Sequence, residues 1–270
     1  MDILIPVIIT LSAGLLLGLL LAVIASVFEV KGDEKVQAVT DMLPGANCGG
    51  CGYAGCGDLA RAIVEGKADP SLCSVGGARC SEEICKFLGI SGGAVVPKKA
   101  FVHCGGCIDY TQDKMVYSGI STCAGANMFF QGKGKCDFGC LGFGDCANVC
   151  PFGAIYVKDD LARVDRSLCV GCGKCLSACP NNLISLIAES KKVAVGCSNV
   201  EKGALTRKAC NHGCIGCLKC QKVCPSEAIK IENGYLARID YEKCTDCGEC
   251  TGVCPTGAVT FISKNCNLNG

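Results

Sequence analysis

The chain has 270 residues, a formal net charge of +1 and 28 cysteines, roughly a tenth of its length. The near-neutral charge gives no reason to expect nucleic acid or another strongly charged partner. This cysteine density leaves three interpretations: a disulfide scaffold, structural zinc, or the ligation of iron–sulfur clusters.

The first predicted element is a membrane-spanning helix. No charged residue occurs from Ile3 to Phe28, and a helix of this length extends about 39 Å, enough to cross a hydrocarbon core of about 30 Å. A cleaved signal peptide is the alternative, but the segment has no basic start and its apolar run is too long. Asp2 precedes the span, whereas Lys31 and Lys35 follow it. The positive-inside rule therefore predicts a single-pass protein of the cell membrane whose soluble part is cytoplasmic.

The spacing of the cysteines argues against disulfides. Reducing thiol pools disfavour structural disulfides in the cytoplasm. Four cysteines fall between Cys169 and Cys179, which is too crowded for them to pair with one another. The cysteines are therefore expected to bind metal.

A repeated Cys-Pro phrase is the strongest pattern in the sequence. It occurs at Cys150, Cys179, Cys224 and Cys254, and in the last three cases a C-x2-C-x2-C-x3 run precedes it. The phrase LARVDRSLC before the first complete motif matches LARIDYEKC farther on, so a larger unit recurs after 75 residues. Self-similarity of this kind indicates duplicated structural units.

This spacing is typical of two-cluster ferredoxins. Three cysteines, each separated by two residues, wrap one corner of an iron–sulfur cubane, and the cysteine before proline ligates the second cluster of the pair. Zinc sites usually combine two separated C-x2-C pairs instead. The predicted ligand sets are Cys169, Cys172 and Cys175 with Cys150; Cys214, Cys217 and Cys220 with Cys254; and Cys244, Cys247 and Cys250 with Cys224.

One predicted site is irregular. Its expected ligands are Cys140, Cys146 and Cys179. Phe143 stands where the second repeat has Cys217, so the site is one thiolate short. Either Cys136 supplies the fourth ligand or the site holds a 3Fe–4S cluster, and we favour Cys136. Against this choice, Cys210 occupies the same place in a repeat that already has four cysteines.

A separate module near the N-terminus has a different spacing. Its predicted 4Fe–4S ligands are Cys48, Cys51, Cys56 and Cys73, in which glycines let the backbone approach the cluster. A sixth cluster could use Cys104, Cys107 and Cys123 with Cys136, in competition with the assignment above. Free buried thiols are the alternative for Cys104, Cys107 and Cys123. Cys104 and Cys197 follow similar strand-like phrases and are candidates for equivalent positions. The cysteines expected to remain free thiols are Cys80, Cys85 and Cys266.

The sequence offers no catalytic group. It has no haem-attachment motif, P-loop, Ser-His-Asp arrangement or paired carboxylates, and its two histidines, His103 and His212, adjoin cysteines, where a hydrogen-bonding or solvent role is expected. Electron transfer is therefore the chemistry expected of the chain itself.

Nearly the whole chain resembles the B subunit of the Rnf complex, the ion-translocating ferredoxin:NAD⁺ oxidoreductase. The resemblance is carried by the N-terminal span, the NCGGCGYAGC module and the doubled Cys-Pro motifs. The module is also similar to the iron–sulfur domain of corrinoid iron–sulfur proteins. Short members of the family have one ferredoxin pair, whereas this chain has two. The resemblance implies electrons taken from reduced ferredoxin and passed to flavin-bearing and nicotinamide-binding membrane subunits, coupled to Na⁺ or H⁺ transport.

The expected fold is therefore α+β, with a transmembrane helix, a small 4Fe–4S module and two tandem two-cluster (8Fe–8S) ferredoxin-like domains. Five 4Fe–4S clusters are expected, or six with the additional site. A polyferredoxin-like subunit of a membrane dehydrogenase or hydrogenase is the alternative function.

The predicted divisions are an anchor (1–28), a connector (29–41), an N-terminal 4Fe–4S domain (42–90), a linker with a Gly/Cys-rich segment (91–135), ferredoxin-like domain 1 (136–190), a connector (191–209), ferredoxin-like domain 2 (210–262) and a tail (263–270).

Overall fold

The computed structural model describes Val7 and residues 11–12, 14–21, 34–93 and 95–264. Much of the expected span, and residues 265–270 with Cys266, lie outside the described residues. Within the described ranges, no helix combines the length and the apolar character needed to cross a bilayer.

The N-terminal module is built from three helices. They are α1 (Glu34–Met42), α2 (Cys56–Val64) and α3 (Gly77–Leu88), with a short 3₁₀ turn at Pro70–Leu72. Apolar residues recur three or four positions apart on α2, so they share the face that packs into the module core. The most deeply buried side chains of this core are Val39, Leu59, Ile63 and Ile84.

Two similar units follow, each built from two antiparallel strand pairs. In the first unit, β1 (Lys98–Val102) pairs with β4 (Ile184–Ala188), and β2 (Ile155–Lys158) pairs with β3 (Leu161–Val164). The register sets Ala100 opposite Leu186. Together these strands bury Ala100, Val102, Ile155, Leu161 and Ile184 around the cysteines of the unit.

The second unit repeats this arrangement. Its strand β5 (Val193–Val195) pairs with β8 (Val259–Phe261), and β6 (Ile229–Glu232) pairs with β7 (Leu236–Ile239). Short helices carry or flank the cysteines in both units: α4 (Cys123–Asn127), α5 (Asp145–Asn148), α6 (Lys174–Ala178), α7 (Gly203–Ala209), α8 (Lys219–Val223) and α9 (Glu249–Gly252). The mixture of short helices and antiparallel strands confirms the α+β expectation for this part of the chain.

The two units pack against each other through a small apolar core. Phe101 and Ile187 of the first unit meet Ala194 and Ile262 of the second, and Tyr241 packs against them. Strand β1 lies within residues 91–135, the segment expected to contain the linker, and its pairing with β4 makes it the first strand of the first unit. The proposed domain boundaries remain a prediction.

Candidate metal centres

The first complete motif surrounds a cavity in the first unit. Cys150, Cys169, Cys172 and Cys175 all line this space of about 320 Å³. Burial, followed by the neighbouring Cys169 and Cys172 thiols, raises the pKa of Cys175 to about 12. Cys150 reaches the cavity from the preceding Cys-Pro phrase, so cysteines of two different motifs share this space.

The second unit shows the same arrangement twice. In this cross-over, the cysteine before proline in one motif lies beside the three cysteines of the other motif. Burial raises the pKa of Cys220 to about 12, helped by the Cys214, Cys254 and Cys217 thiols. Burial likewise raises the pKa of Cys250 to about 11, and the neighbouring Cys224, Cys244 and Cys247 thiols raise it further. Each group of three thus lies beside the cysteine that precedes proline in the other motif. Of these candidate ligands, Cys217 and Cys247 are exposed to solvent.

Backbone amides point at many of these sulfurs. The amide of Ala162 donates to Cys140 Sγ over 3.4 Å, and the amide of Ala237 donates to Cys214 Sγ over the same distance. Cysteines before proline receive similar bonds, such as that from Ala228 N to Cys224 Sγ at 3.3 Å. Hydrogen bonds of this kind favour the thiolate that an iron–sulfur cluster requires. The donor sets and their surroundings therefore fit cluster ligation.

The irregular site contains Cys123, a cysteine that its position along the chain groups with Cys104, Cys107 and Cys136. A cavity of about 380 Å³ is lined by Cys140, Cys146 and Cys179, together with Cys123 and not Cys136. Cys123 begins helix α4, and its amide donates to Asp145 Oδ1 over 3.0 Å, which fixes the start of the helix beside the cavity. Four thiols therefore meet here.

The position of Phe143 explains why this repeat departs from the others. Its ring packs edge-on to Tyr117, with ring centroids 5.4 Å apart, in a small apolar cluster that includes Cys123. The second repeat has a cysteine at this place in its motif, whereas the first has an aromatic contact. The fourth thiol that lines the cavity, Cys123, comes from the segment upstream. Cys123 stands 17 residues before Cys140 and belongs to no repeated phrase, so spacing alone could not identify it.

Cys136 lies in a different cavity, between the two units. This space of about 450 Å³ is also lined by Cys104, Cys197 and Cys210. Cys107, a candidate from the sequence, is buried near Cys210 but is not among the residues that line the cavity.

The N-terminal module brings its cysteines together around the start of α2. Burial raises the pKa of Cys73, and the nearby Cys56 and Cys51 thiols raise it further. The amide of Cys56 donates to Asn47 Oδ1 over 2.8 Å, which closes the loop that carries Cys48 and Cys51. This bond ties the start of the loop to the start of α2.

Cys80 lies beside this site but has a different environment. Its sulfur donates to the Met42 carbonyl oxygen over 3.3 Å, as a protonated thiol does. Burial, then the neighbouring Cys73 thiol, raises the pKa of Cys80 to about 11. That Cys80 is a free thiol stays a prediction.

The module is docked on the first unit close to its metal centre. Ser74 Oγ donates to the Gly171 carbonyl over 3.2 Å, and Cys48 lies near enough to raise the pKa of Cys172, after burial as the main cause. A Cβ atom at Gly50 would lie 2.2 Å from the Cys172 carbonyl oxygen, so only glycine allows this approach. The contact brings the N-terminal thiols close to those of the first unit.

The two histidines lie largely in the interior. His103 Nδ1 lies 2.8 Å from the Val195 carbonyl oxygen and its Nε2 lies 2.7 Å from Ser185 Oγ, so the ring joins the two units. His212 stacks at 5.1 Å on Tyr110, and its Nε2 is buried without a hydrogen-bond partner among the described residues. Burial lowers the pKa of both rings.

Every described cysteine is free of disulfide bonds. In the same part of the chain, no group of three or more His, Cys, Asp or Glu residues has an arrangement suited to a single metal ion.

Three protein families match parts of the chain. The family "Putative Fe-S cluster" matches residues 43–75, and "4Fe-4S dicluster domain" matches residues 168–228 and 213–258. The family "LdpA Fe-S cluster-binding domain" matches residues 140–190. The matched segments contain the four predicted ligands of the N-terminal module and the repeated Cys-Pro motifs.

The curated relatives extend over most of the chain. The B subunit of the Na⁺-translocating ferredoxin:NAD⁺ oxidoreductase complex of Acetobacterium woodii is 43% identical over 90% of this chain and 73% of its own length. The B subunit of the proton-translocating ferredoxin:NAD⁺ oxidoreductase complex of Clostridium ljungdahlii is 42% identical, over 86% of this chain and 82% of its own length. The B subunit of an ion-translocating oxidoreductase complex of Methanosarcina acetivorans is 39% identical, over 86% of this chain and 88% of its own length.

Proposed function

The chain belongs to the family of B subunits of the ion-translocating ferredoxin:NAD⁺ oxidoreductase (Rnf) complexes, and from this premise we propose that it is their iron–sulfur electron carrier, holding at least five 4Fe–4S clusters. As a member of this family, the chain is part of an ion-translocating oxidoreductase. The observation that carries the proposal is the meeting of four cysteines from separate motifs around one cavity, seen most clearly at Cys150, Cys169, Cys172 and Cys175.

The residues of the chain perform three tasks in this role. Cysteine thiolates bind iron, backbone amides offset the negative charge on the sulfurs, and the apolar cores limit the access of water. A bound cluster supplies a site that gains and loses a single electron. The same features also set the reduction potential of each site.

The irregular site fits this proposal with four irons. Cys123, Cys140, Cys146 and Cys179 supply the four thiolates that a 4Fe–4S cluster needs. We therefore assign the fourth position to Cys123 in preference to Cys136.

The names of the relatives support other subunits of the same complex as partners. Reduced ferredoxin is the proposed electron donor, and the acceptors are membrane subunits of the same complex, including those that carry flavin and bind nicotinamide. The names of two relatives' complexes specify Na⁺ in one case and protons in the other, and Na⁺ or H⁺ is the ion we propose for this complex.

Membrane attachment is proposed for the apolar segment Ile3–Phe28. Its uncharged length supports an anchor that keeps the cytoplasmic part beside the membrane subunits. If this is right, deletion of residues 2–30 releases the chain from membranes, whereas the full chain resists extraction at alkaline pH. Release of the full chain under those conditions would contradict the anchor.

Purification from membranes under anaerobic conditions tests the central proposal. The preparation should be brown, contain about 20 or more irons per chain, and copurify with flavin-bearing subunits that reduce NAD⁺ with ferredoxin as donor. Zinc in place of iron would refute cluster binding. Copurification with a molybdenum or nickel enzyme would instead support the polyferredoxin-like alternative.

A further inference from the structure

We propose that the cavity between the two units binds a sixth 4Fe–4S cluster, ligated by Cys104 and Cys136 from the first unit and by Cys197 and Cys210 from the second. This inference rests on the proposed function, because it takes cluster binding at the other sites as given. It also differs from the grouping that sequence spacing suggests, which joins Cys136 to Cys104, Cys107 and Cys123.

The four cysteines occupy matching positions in the two units. Cys104 lies two residues after the end of β1, and Cys197 lies two residues after the end of β5. Cys136 and Cys210 each stand four residues before the first cysteine of their motif. The duplication that created the two units therefore provides two thiols from each side.

Equivalent hydrogen bonds reach equivalent sulfurs. The amide of Cys140 donates to Cys104 Sγ over 3.4 Å, and the amide of Cys214 donates to Cys197 Sγ over 3.2 Å. Each donor is the first motif cysteine of its unit. These bonds match those at the other sites, where backbone amides also point at the sulfurs.

The sulfurs border one common space. A Cβ atom at Gly106 would lie 3.2 Å from Cys210 Sγ and 3.7 Å from Cys104 Sγ, so these two sulfurs face the same gap. Asn199 contacts the other two sulfurs. Its side-chain Nδ2 lies 3.6 Å from Cys136 Sγ, and its backbone amide donates to Cys197 Sγ over 3.4 Å. A single buried asparagine thus connects two of the four sulfurs.

The walls of the cavity are suited to a bound inorganic group. Cys104, Cys197 and Cys210 are all buried, so their sulfurs face the cavity and not bulk water. His212 lines the same cavity, and its buried Nε2 has no hydrogen-bond partner within the described structure. A buried polar atom without a hydrogen-bond partner indicates that a bound group supplies its contact.

The cavity also adjoins the irregular site. Gly139 and Cys140 line both spaces, so the two are separated by a wall about one residue thick. The Cys140 side chain is a proposed ligand of the irregular site, while its amide donates to Cys104 Sγ. A cluster between the units would therefore lie directly beside a cluster of the first unit.

Iron and acid-labile sulfide are measured on the full chain, purified anaerobically with its complex, and compared with four single variants. The wild-type chain should contain about 24 irons, and C104S, C136S, C197S and C210S should each lose up to about four. The matched controls are C107S, which changes a buried cysteine beside the cavity, and C85S in the N-terminal module. Both controls should keep the wild-type iron content.

A spectroscopic measurement separates loss of one cluster from loss of the fold. In the C104S/C197S double variant, low-temperature EPR and Mössbauer spectra should lose the signal of one cluster and keep those of the other five. If C107S loses the signal and C210S keeps it, the proposed ligand set is wrong. A brown wild-type chain with about 20 irons, unchanged in all four variants, refutes the sixth cluster and leaves the proposed function intact. A chain without iron refutes both.

Discussion

At the residue scale, the sequence predicts the neighbours of some cysteines and not of others. Cys150 and Cys254 stand in repeated Cys-Pro phrases, and the chemistry of two-cluster ferredoxins predicts that each crosses to the other motif. In the structure, both lie near cysteines of that other motif. Cys123 and Cys197 belong to no such phrase, and their partners lie in distant segments of the chain. Only the folded arrangement shows what surrounds them.

The first prediction concerns the fourth ligand of the irregular site. Cys123→Ser should convert the cluster on Cys140, Cys146 and Cys179 to a three-iron form or abolish it, because the cavity then has three thiolates. EPR of the oxidised protein would detect a new three-iron signal. Cys136→Ser is the matched comparison and should leave this cluster intact. If Cys136→Ser gave the three-iron signal and Cys123→Ser did not, the assignment would be reversed.

The second prediction concerns the cross-over within the first unit. Cys179→Ser should damage the cluster that Cys140 and Cys146 bind and spare the one at Cys169, because Cys179 lines the cavity of the former. Cys150→Ser should have the opposite effect. The two variants can be distinguished by EPR combined with a redox titration. An identical spectrum from both would contradict the cross-over.

At the element scale, strand β1 shows what the sequence could not reveal. Its five residues follow Pro97 in a segment that resembles a linker, and their partners in β4 lie more than 80 residues farther along. Periodicity over so short a stretch carries little information. By contrast, β2, β3, β6 and β7 lie inside the repeats, where the recurrence of LAR phrases indicates paired strands.

Helix α3 provides a prediction about stability. Ile84 is fully buried, whereas Phe87 on the same helix is 48% exposed. Ile84→Ala should destabilise the N-terminal module by about 2–5 kcal/mol, because it leaves a cavity in the core. Phe87→Ala should have a much smaller effect. Anaerobic thermal unfolding of the two variants would measure the difference, and equal changes in Tm would show that α3 packs differently.

At the scale of the whole molecule, the N-terminal module contacts backbone atoms of the first unit. Gly50 approaches the Cys172 carbonyl too closely for any side chain, and Ser74 binds the neighbouring Gly171. The glycines of the module indicated a close approach to a cluster. That one of them also permits docking on another unit depends on tertiary structure and could not be foreseen.

Gly50→Ala should therefore loosen this docking. We expect faster amide hydrogen exchange around residues 48–56 and 170–175, because the added methyl group forces the two loops apart. Gly57→Ala is the control, since a Cβ atom there meets nothing within 4 Å and alanine favours a helix by about 1 kcal/mol. Unchanged exchange in Gly50→Ala would show that the two parts do not pack in this way.

The solvent exposure of Cys217 and Cys247 has a consequence for the handling of the protein. Molecular oxygen attacks iron–sulfur sites from the surface, and both of these sulfurs lie on the second unit, whereas Cys169, Cys172 and Cys175 are covered. During brief aeration of the isolated chain, we expect iron to be lost first from the carboxyl-terminal half. In preparations exposed to air, the cluster sites of the second unit would then be only partly occupied. Their iron content would reflect this damage and not the composition of the native protein.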